Sequence, residues 1–158
     1  MTVIIDGTAG VTYPSGSGTQ AAQAKVLQVV SGVITTQFSS ASNTFVSTGI
    51  TASITPLFST SKILVISSHS ATQAASGQPV DTTLYRNSTN LGGTYGFQVT
   101  YGSSGGTMYA ASNITYLDSP ATTSSTSYTI YARSETANTF YFGNSGSPSS
   151  IILMEIAA

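Results

Sequence analysis

Apolar residues alternate with serine, threonine and other small polar residues along most of this chain, in short runs separated by turn residues. Strict alternation is typical of a strand with one buried face, and no segment shows the helical spacing of apolar residues over 11–18 positions that predicts an amphipathic helix. The runs that predict strands are 26–35, 44–55, 62–69, 80–86, 107–118, 127–133, 138–144 and 151–156. Residues 92–106 are rich in glycine, and their pattern leaves strand, loop or a mixture of both open.

The number and spacing of these runs predict an all-β fold, an antiparallel β-sandwich of about eight strands. Short strands at regular intervals, joined by turn residues, are characteristic of sandwiches and barrels. Eight strands arranged as two Greek keys form a jelly roll. Ala71 to Pro79 is predicted to be a loop, and Asn87 to Asn90 a hairpin turn. We place this jelly-roll-like domain at residues 25–158, after an extended N-terminal arm or linker at residues 1–24.

Two of the runs are apolar at consecutive positions and not only at alternate ones. Residues 62–66 read Lys-Ile-Leu-Val-Ile, and residues 151–154 read Ile-Ile-Leu-Met. A strand that is apolar on both faces is expected in the interior of a sheet, because an exposed apolar edge promotes aggregation. A small sandwich covers only one face of each sheet, so the second face of these strands is predicted to meet another subunit.

The N-terminal arm is too short to bury a core, so it is either disordered or ordered by another chain, and its apolar tip favours the second. An apolar run at residues 3–5 precedes a turn signal at residues 6–10, and an extended segment follows. An extended apolar segment can add a strand to the edge of a neighbouring sheet. The predicted anchoring residues are Val3, Ile4, Ile5, Val11, Tyr13 and Pro14.

Charge is scarce in this chain, and its scarcity excludes several classes of function. Charged residues make up 6% of the sequence, and the net charge is −1. Nucleic-acid binding needs many cationic contacts to phosphate, so we expect no nucleic-acid partner. The chain has no cysteine, which leaves no disulfide and no thiolate site. We find no signal peptide and no apolar run near the roughly 18 residues of a membrane span, so we expect synthesis in the cytoplasm without membrane insertion.

Patterns for catalysis and metal binding are weak. His69 is the only histidine, and Asp81 or Asp118 could complete an imaginable Ser/His/Asp triad. However, no Gly-x-Ser-x-Gly elbow precedes a helix. The acidic residues are scattered singly and lack the spacing of a calcium loop. The glycine-rich segment is not followed by the lysine and helix of a phosphate loop. We therefore predict no enzyme activity, no catalytic or metal site and no cofactor.

Tyrosines interleave with the glycines of the segment from residue 92 to residue 109. Tyrosine on a glycine-flanked loop can stack on a sugar ring or anchor a protein surface. The alternative, which we favour, is that these rings pack on the sheet or between subunits. Tyr95, Tyr101 and Tyr109 are the candidate receptor or partner contacts. Phe140 to Phe142 alternate within a strand and are expected to supply core and subunit contacts.

Four short motifs, in this order, resemble small structural proteins and fibre-tip domains of tailed phages, especially phages of cyanobacteria and marine bacteria. The motifs are Lys25-Val26-Leu27-Gln28-Val29-Val30, then Ser53-Ile54-Thr55-Pro56 with Ser59-Thr60-Ser61-Lys62-Ile63-Leu64-Val65, then Leu84-Tyr85-Arg86-Asn87 with Tyr116-Leu117-Asp118-Ser119-Pro120, and finally Ile151-Ile152-Leu153-Met154-Glu155-Ile156. The match covers about residues 25–158. The resemblance implies a β-rich, trimeric virion protein that is exposed on a tail or a capsid.

From this resemblance we expect a non-enzymatic structural protein on the surface of a phage virion. The leading expectation is a homotrimeric capsid decoration (cement) or head-fibre protein, held to the major capsid protein through its N-terminal arm. The alternative is a tail-fibre tip that contacts a tail component and recognises a glycan of the host surface. The short segment before the domain leaves no room for a shaft, which favours a decoration protein or a short tip over a full fibre.

Overall fold

The computed structural model of the chain describes residues 4–6, 10–12, 25–73, 77–102, 108–143 and 146–157. Every regular secondary-structure element within these residues is a strand, as the alternating pattern predicts. They are β1 (Ile4–Asp6), β2 (Gly10–Thr12), β3 (Val26–Ile34), β4 (Phe38–Ser40), β5 (Val46–Ile54), β6 (Lys62–Gln73), β7 (Pro79–Arg86), β8 (Thr89–Asn90), β9 (Gln98–Tyr101), β10 (Met108–Asp118), β11 (Thr126–Ser134), β12 (Phe140–Phe142) and β13 (Ser149–Ile156). Strands β1 and β2 pair with each other as a separate hairpin, and the other strands form two antiparallel sheets.

Several of these strands are consecutive segments of one longer strand. Strands β3 and β4 pair with β13 and β12, and both β13 and β12 pair with the same side of β6. Strands β8 and β9 lie end to end along β7. Taken as continuous strands, the sandwich therefore has the predicted eight: β3/β4, β5, β6, β7, β8/β9, β10, β11 and β12/β13.

The eight continuous strands have the order of a jelly roll. Sheet I runs β3/β4, β12/β13, β6, β10, and sheet II runs β5, β11, β7, β8/β9. In chain order the first strand therefore pairs with the eighth, the second with the seventh, the third with the sixth and the fourth with the fifth. This nested antiparallel pairing is a long hairpin rolled into two sheets, the double Greek key of a jelly roll. The predicted fold class is confirmed.

The core lies between the two sheets and is filled by every second residue of the facing strands. Strand β11 alternates strictly between buried and half-buried positions, as its sequence pattern predicts, and β13 does the same although its sequence is apolar at consecutive positions. The largest fully buried apolar side chains are Tyr128, Phe140, Phe142, Ile50, Ile54, Ile63, Leu84, Ile130, Ile151 and Leu153. Both runs that are apolar at consecutive positions lie inside sheet I, since β13 lies between β3 and β6, and β6 lies between β13 and β10.

The predicted loop at residues 71–79 is wrong at both ends. Strand β6 continues to Gln73, and β7 already begins at Pro79; residues 74–76 lie outside the described residues. The end of β6 is polar and carries no alternation, but β10 pairs with it on one side and β12 on the other. Backbone hydrogen bonds on both sides therefore set the length of this strand. The glycine-rich segment proves to be a mixture, a loop at residues 91–97 followed by β9.

A buried carboxylate at the end of β13 holds the connection from β5 to β6. Glu155 is fully buried, and its Oε1 accepts hydrogen bonds from the backbone N–H of Leu57 (2.8 Å) and Phe58 (3.4 Å). The Gln28 Nε2 donates to Oε2 at 2.6 Å. Burial alone would raise the pKa of Glu155, but the hydrogen bonds from Gln28 and the two backbone amides outweigh burial and hold the pKa below its ordinary value.

A second buried carboxylate joins the two sheets. Asp118 lies at the end of β10 in sheet I. Its Oδ1 and Oδ2 each accept a hydrogen bond of 3.0 Å from the Arg86 Nη1 of sheet II. The Tyr128 hydroxyl of β11 donates to the Asp118 Oδ2 at 2.6 Å. Burial of the Tyr128 ring and its bond to the carboxylate both raise the pKa of Tyr128, so the hydroxyl remains a donor. Asp118 and Glu155 are therefore structural in this chain.

Gly32 lies where the edge of sheet I meets the edge of sheet II. A Cβ at this position of β3 would lie 1.9 Å from the backbone oxygen of Thr51 in β5. We expect Gly32→Ala to lower the free energy of unfolding by about 2–3 kcal/mol, because the two strands must separate to admit the methyl group. Urea denaturation measures this change. The matched control is Ser31→Ala on the exposed face of β3, for which we expect a change within about 0.5 kcal/mol. Equal midpoints for both variants would contradict the close approach.

Candidate functional site

The three candidate tyrosines are exposed, but the fold divides them between two surfaces. The exposed fractions of Tyr95, Tyr101 and Tyr109 are 62%, 61% and 70%. The rings therefore do not pack on their own sheets, which was one part of the favoured interpretation; packing between subunits, the other part, stays a prediction. Tyr101 lies on β9 beside Pro79 on the outer face of sheet II, and Tyr95 lies in the preceding loop. Tyr109 lies on β10, on the outer face of sheet I. The structure therefore places Tyr95 and Tyr101 on the side of sheet II, at different points along β7, and Tyr109 on sheet I.

Residues 91–97, here called the Tyr95 loop, leave the edge of β7 and return to it. The Leu91 N–H donates to the Leu84 oxygen and the Phe97 N–H to the Thr82 oxygen, both at 2.9 Å. Gly96 has a φ of 75°, and a Cβ there would lie 2.4 Å from the Thr82 oxygen, so this close return requires glycine. The loop is a short excursion between β8 and β9 that places Tyr95 over sheet II.

One guanidinium fastens the Tyr95 loop to sheet II. The Arg133 Nη2 donates to the Thr94 oxygen at 2.8 Å, and the Arg133 Nε donates to the Asp81 Oδ2 at 2.8 Å. The guanidinium carbon also lies 4.7 Å from the centre of the Phe45 ring. Arg133 therefore contacts Asp81, Thr94 and Phe45 at once, and through Thr94 it holds the Tyr95 loop in place.

Asp81 is a fully buried carboxyl with one oxygen unpaired. Its Oδ1 has no hydrogen-bond partner, while Oδ2 is bound by Arg133. Burial raises the pKa of Asp81, and the nearby Glu135 raises it further, although Arg133 opposes both effects. The Asp81–Arg133 pair therefore lies beneath the surface of sheet II, with the exposed Glu135 beside it.

Aromatic rings extend the same surface toward the other edge of sheet II. Tyr85 and Tyr131 stack at 4.0 Å between ring centres, and Phe45 meets Tyr85 edge-on at 6.4 Å. Sequence reasoning missed this patch. The alternation of β11 could have shown that Tyr131 and Arg133 share a face, but only the pairing of β11 with β5 and β7 brings Phe45 and Tyr85 beside them.

The outer face of sheet I is apolar. The register places Val29, Met154, Leu64 and Leu117 side by side across all four strands. The next row holds Ile152 and Ile66, and Val33 lies beyond it on β3. We call the surface formed by the following residues the apolar face of sheet I: Val29, Val33, Leu64, Ile66, Leu117, Ile152 and Met154. It is the uncovered second face that the two runs of consecutive apolar residues predict.

The predicted anchoring residues lie in a hairpin and its flanks. Strands β1 and β2 pair in register with Ile5 opposite Val11 and Ile4 opposite Thr12. Val3, Tyr13 and Pro14 lie outside the described residues. The hypothesis that this arm adds a strand to a neighbouring sheet stays a prediction.

His69 lies in the core and does not join either aspartate. It is buried on β6, stacked 4.4 Å from Phe142, and both of its ring nitrogens lack a hydrogen-bond partner. Its neighbour in the register, Ser112, lies six residues before Asp118 on β10, which corresponds to about 20 Å. Asp81 is on the outer face of sheet II. The imaginable triad is therefore not assembled.

The surroundings of His69 are polar without being charged. Ser67, Thr82 and Thr100 also lie in this half of the core, and each has a buried hydroxyl with no partner. Only the Ser112 hydroxyl finds a side chain, the Gln98 carbonyl of the facing sheet. Burial lowers the pKa of His69 from 6.5 to about 4, so the imidazole is neutral at physiological pH.

The described residues contain neither a group of metal ligands nor a membrane-spanning helix. Within the described residues, histidine and acidic side chains do not gather in groups of three or more that could hold a metal ion. The same residues include no helix of the length and hydropathy needed to cross a membrane.

No protein-family model matches the chain. No curated protein sequence matches it either. The resemblance to phage virion proteins therefore rests on the four motifs alone.

The buried imidazole predicts a loss of stability in weak acid. Below about pH 6.5 the unfolded chain binds a proton at His69 that the folded chain excludes down to about pH 4. The free energy of unfolding should therefore fall by about 2 kcal/mol between pH 7.5 and pH 5 because of this group. In His69→Phe this part of the pH dependence should vanish, while stability at pH 7.5 is retained. Urea denaturation at both pH values measures the difference, and identical pH dependence in the variant would contradict the assignment.

Proposed function

We propose that this protein is a non-enzymatic structural protein of a phage virion, a homotrimeric capsid decoration or head-fibre protein anchored through its N-terminal arm. The observation that carries the proposal is the contrast between the two outer faces of the jelly roll. The face of sheet I is apolar across all four strands, whereas the face of sheet II is polar and aromatic and carries an exposed loop. A module with one side toward an assembly and the other toward solvent requires this contrast.

The few charged side chains support a structural role. Asp118 and Arg86 join the two sheets, Glu155 holds a connection, and Asp81 binds Arg133 beneath the Tyr95 loop. Each of these groups is engaged in contacts that stabilise the fold. A hydrolase of polysaccharides, a third and more distant alternative, requires two carboxyl groups facing one cleft.

The hairpin of the arm supports attachment to another chain. Strands β1 and β2 form a sheet of their own, apart from the two sheets of the jelly roll. A two-stranded hairpin alone is marginally stable in water, and pairing with the edge of a further sheet would stabilise it. The major capsid protein is the partner that we propose for a decoration protein.

The location on the particle tests this proposal directly. In cryo-microscopy of purified virions we expect density for three copies of the chain on the capsid surface. A double variant, Val3→Asp with Ile5→Asp, should reduce incorporation into particles at least tenfold, because two charges oppose burial of the arm. The matched control places the same charges at Ser15 and Ser17 and should be incorporated normally. Density on the tail alone would overturn the decoration role.

A second function, recognition of a host surface glycan by a tail-fibre tip, is favoured by one observation. Tyr95 and Tyr101 are both exposed on the side of sheet II, where Arg133 fixes the loop that carries Tyr95. Rigid exposed tyrosines flanked by polar groups are effective contacts for sugars and proteins, because ordering them on binding costs little entropy.

Binding of the pure protein to a glycan array tests this second function. If a glycan binds, we expect Tyr95→Ala and Tyr101→Ala each to weaken its affinity about tenfold. The matched control is Tyr109→Ala, since Tyr109 is equally exposed but lies on the opposite sheet. An equal loss of affinity in all three variants would contradict a site on sheet II, and the absence of any bound glycan would leave the decoration role as the proposal.

A further inference from the structure

Within the part of the chain that the structure describes, no segment covers the apolar face of sheet I, and the core of a single chain does not explain this surface. Its side chains point away from the interior, because their neighbours in sequence, such as Ile63, Val65, Ile151 and Leu153, fill the core. A central row runs from Val29 through Met154 and Leu64 to Leu117, so apolar side chains span the full width of the sheet. We propose that a second copy of this chain covers this face. The inference rests on the proposed function in that copies of the chain associate, and it names the surface through which two of them meet. A face packed on the same face of another copy is a two-fold contact, so the three copies of the proposed homotrimer require a further, different contact.

The charge distribution on this face argues for a permanent protein partner. Among its described residues Lys62, at one end of β6, is the only charged side chain. The positions around the apolar rows are small and neutral, for example Ser31, Thr115 and Asn113. Interfaces between permanent subunits are depleted of charge and more apolar than transient ones. A lipid surface would require a cluster of cations beside the apolar residues, and one lysine is not a cluster.

The shape of the face argues for a partner of equal width. Side chains that stand side by side on four paired strands form a broad, shallow surface, unlike the groove that holds a single helix or peptide. An extended peptide would cover one row of side chains and leave the rest in water. A second four-stranded face covers all the rows at once, as in the packing of one sheet on another.

The area of the face is sufficient only when nearly all of it is used. Four strands about 4.8 Å apart, over seven residues of about 3.4 Å each, cover roughly 450 Å². Two such faces in contact therefore bury about 900 Å² before the relief of the side chains is counted, close to the lower bound of about 1,000 Å² for a specific interface. A copy of the same face provides the matching width that a smaller partner lacks.

Substitution of valines tests the surface. Val29 and Val33 are 54% and 60% exposed in the single chain, so lysine at both positions leaves the core intact. The matched control is Val99→Lys, because Val99 is 47% exposed and lies on the outer face of sheet II. We expect light scattering after size-exclusion chromatography to give an oligomer for the wild-type protein and for the control at about 20 µM. The double variant, Val29→Lys with Val33→Lys, should have the mass of one chain and should retain the circular dichroism spectrum and cooperative unfolding of a β-protein.

Each outcome bears on the proposal. A wild-type protein with the mass of one chain, a double variant that stays oligomeric, or a control that dissociates as well would overturn the assignment of this face. A wild-type dimer that the two lysines separate would support the face but contradict the homotrimer of the proposed function. Self-association through this face by a protein that cryo-microscopy does not find on virions would likewise retain the surface and overturn the proposed function.

Discussion

The pairing of the last strand of this chain with the first strand of its domain is the interaction on which the rest of the fold depends. Strand β13 lies between β3 and β6. Its pairing with β3 joins residues that are more than a hundred positions apart in sequence. The nested order of the jelly roll places the other three strand pairs inside this outermost pair. Such long-range pairing must overcome the entropy of closing a large loop, and burial of Ile151 and Leu153 supplies the compensation.

The same strand also creates the main problem of the single chain. Its alternate residues, Ile152 and Met154, are apolar like those that fill the core, and they lie on the outside of sheet I. A chain with so little charge has few means to keep such a face in water. Association with a further copy would bury this apolar face and would account for the scarcity of charge, since permanent subunits need no charged surface where they meet.

The interior is more polar than the alternating pattern of the sequence suggests. His69 and several serine and threonine hydroxyls face the core near one end of the sandwich, and many lack a hydrogen-bond partner. The carboxylates near the other end, Asp118 and Glu155, are fully bound. The two ends of the core therefore differ. Hydrogen-bonded carboxylates hold one end, whereas the other contains neutral polar groups, among them the His69 imidazole, through which the free energy of unfolding depends on pH.

The sequence by itself determined the class of the fold and the composition of its core. Alternation in β5 and β11 showed which residues are buried, because side chains of a strand point to opposite faces in turn. The same rule applied to β6 would have placed His69 in the core, in phase with Ile63 and Val65. Tyr95, Phe97, Val99 and Tyr101 alternate with glycine and polar residues, but this pattern did not show that they face outward, and all four are exposed in the structure.

Only the tertiary structure decided which faces lie next to one another. The surface around Arg133 joins residues of β7 and β11 with Phe45, which precedes β5, and with the Tyr95 loop. The row from Val29 to Leu117 joins four strands, and neither set has a local signal in the sequence. The strand order also separated Tyr109 from the other two tyrosines. The physical reason is that alternation fixes the two sides of a strand, whereas hydrogen-bonded pairing between distant segments fixes its neighbours. Pairing uses backbone groups that every residue carries, so the side-chain pattern alone does not specify it.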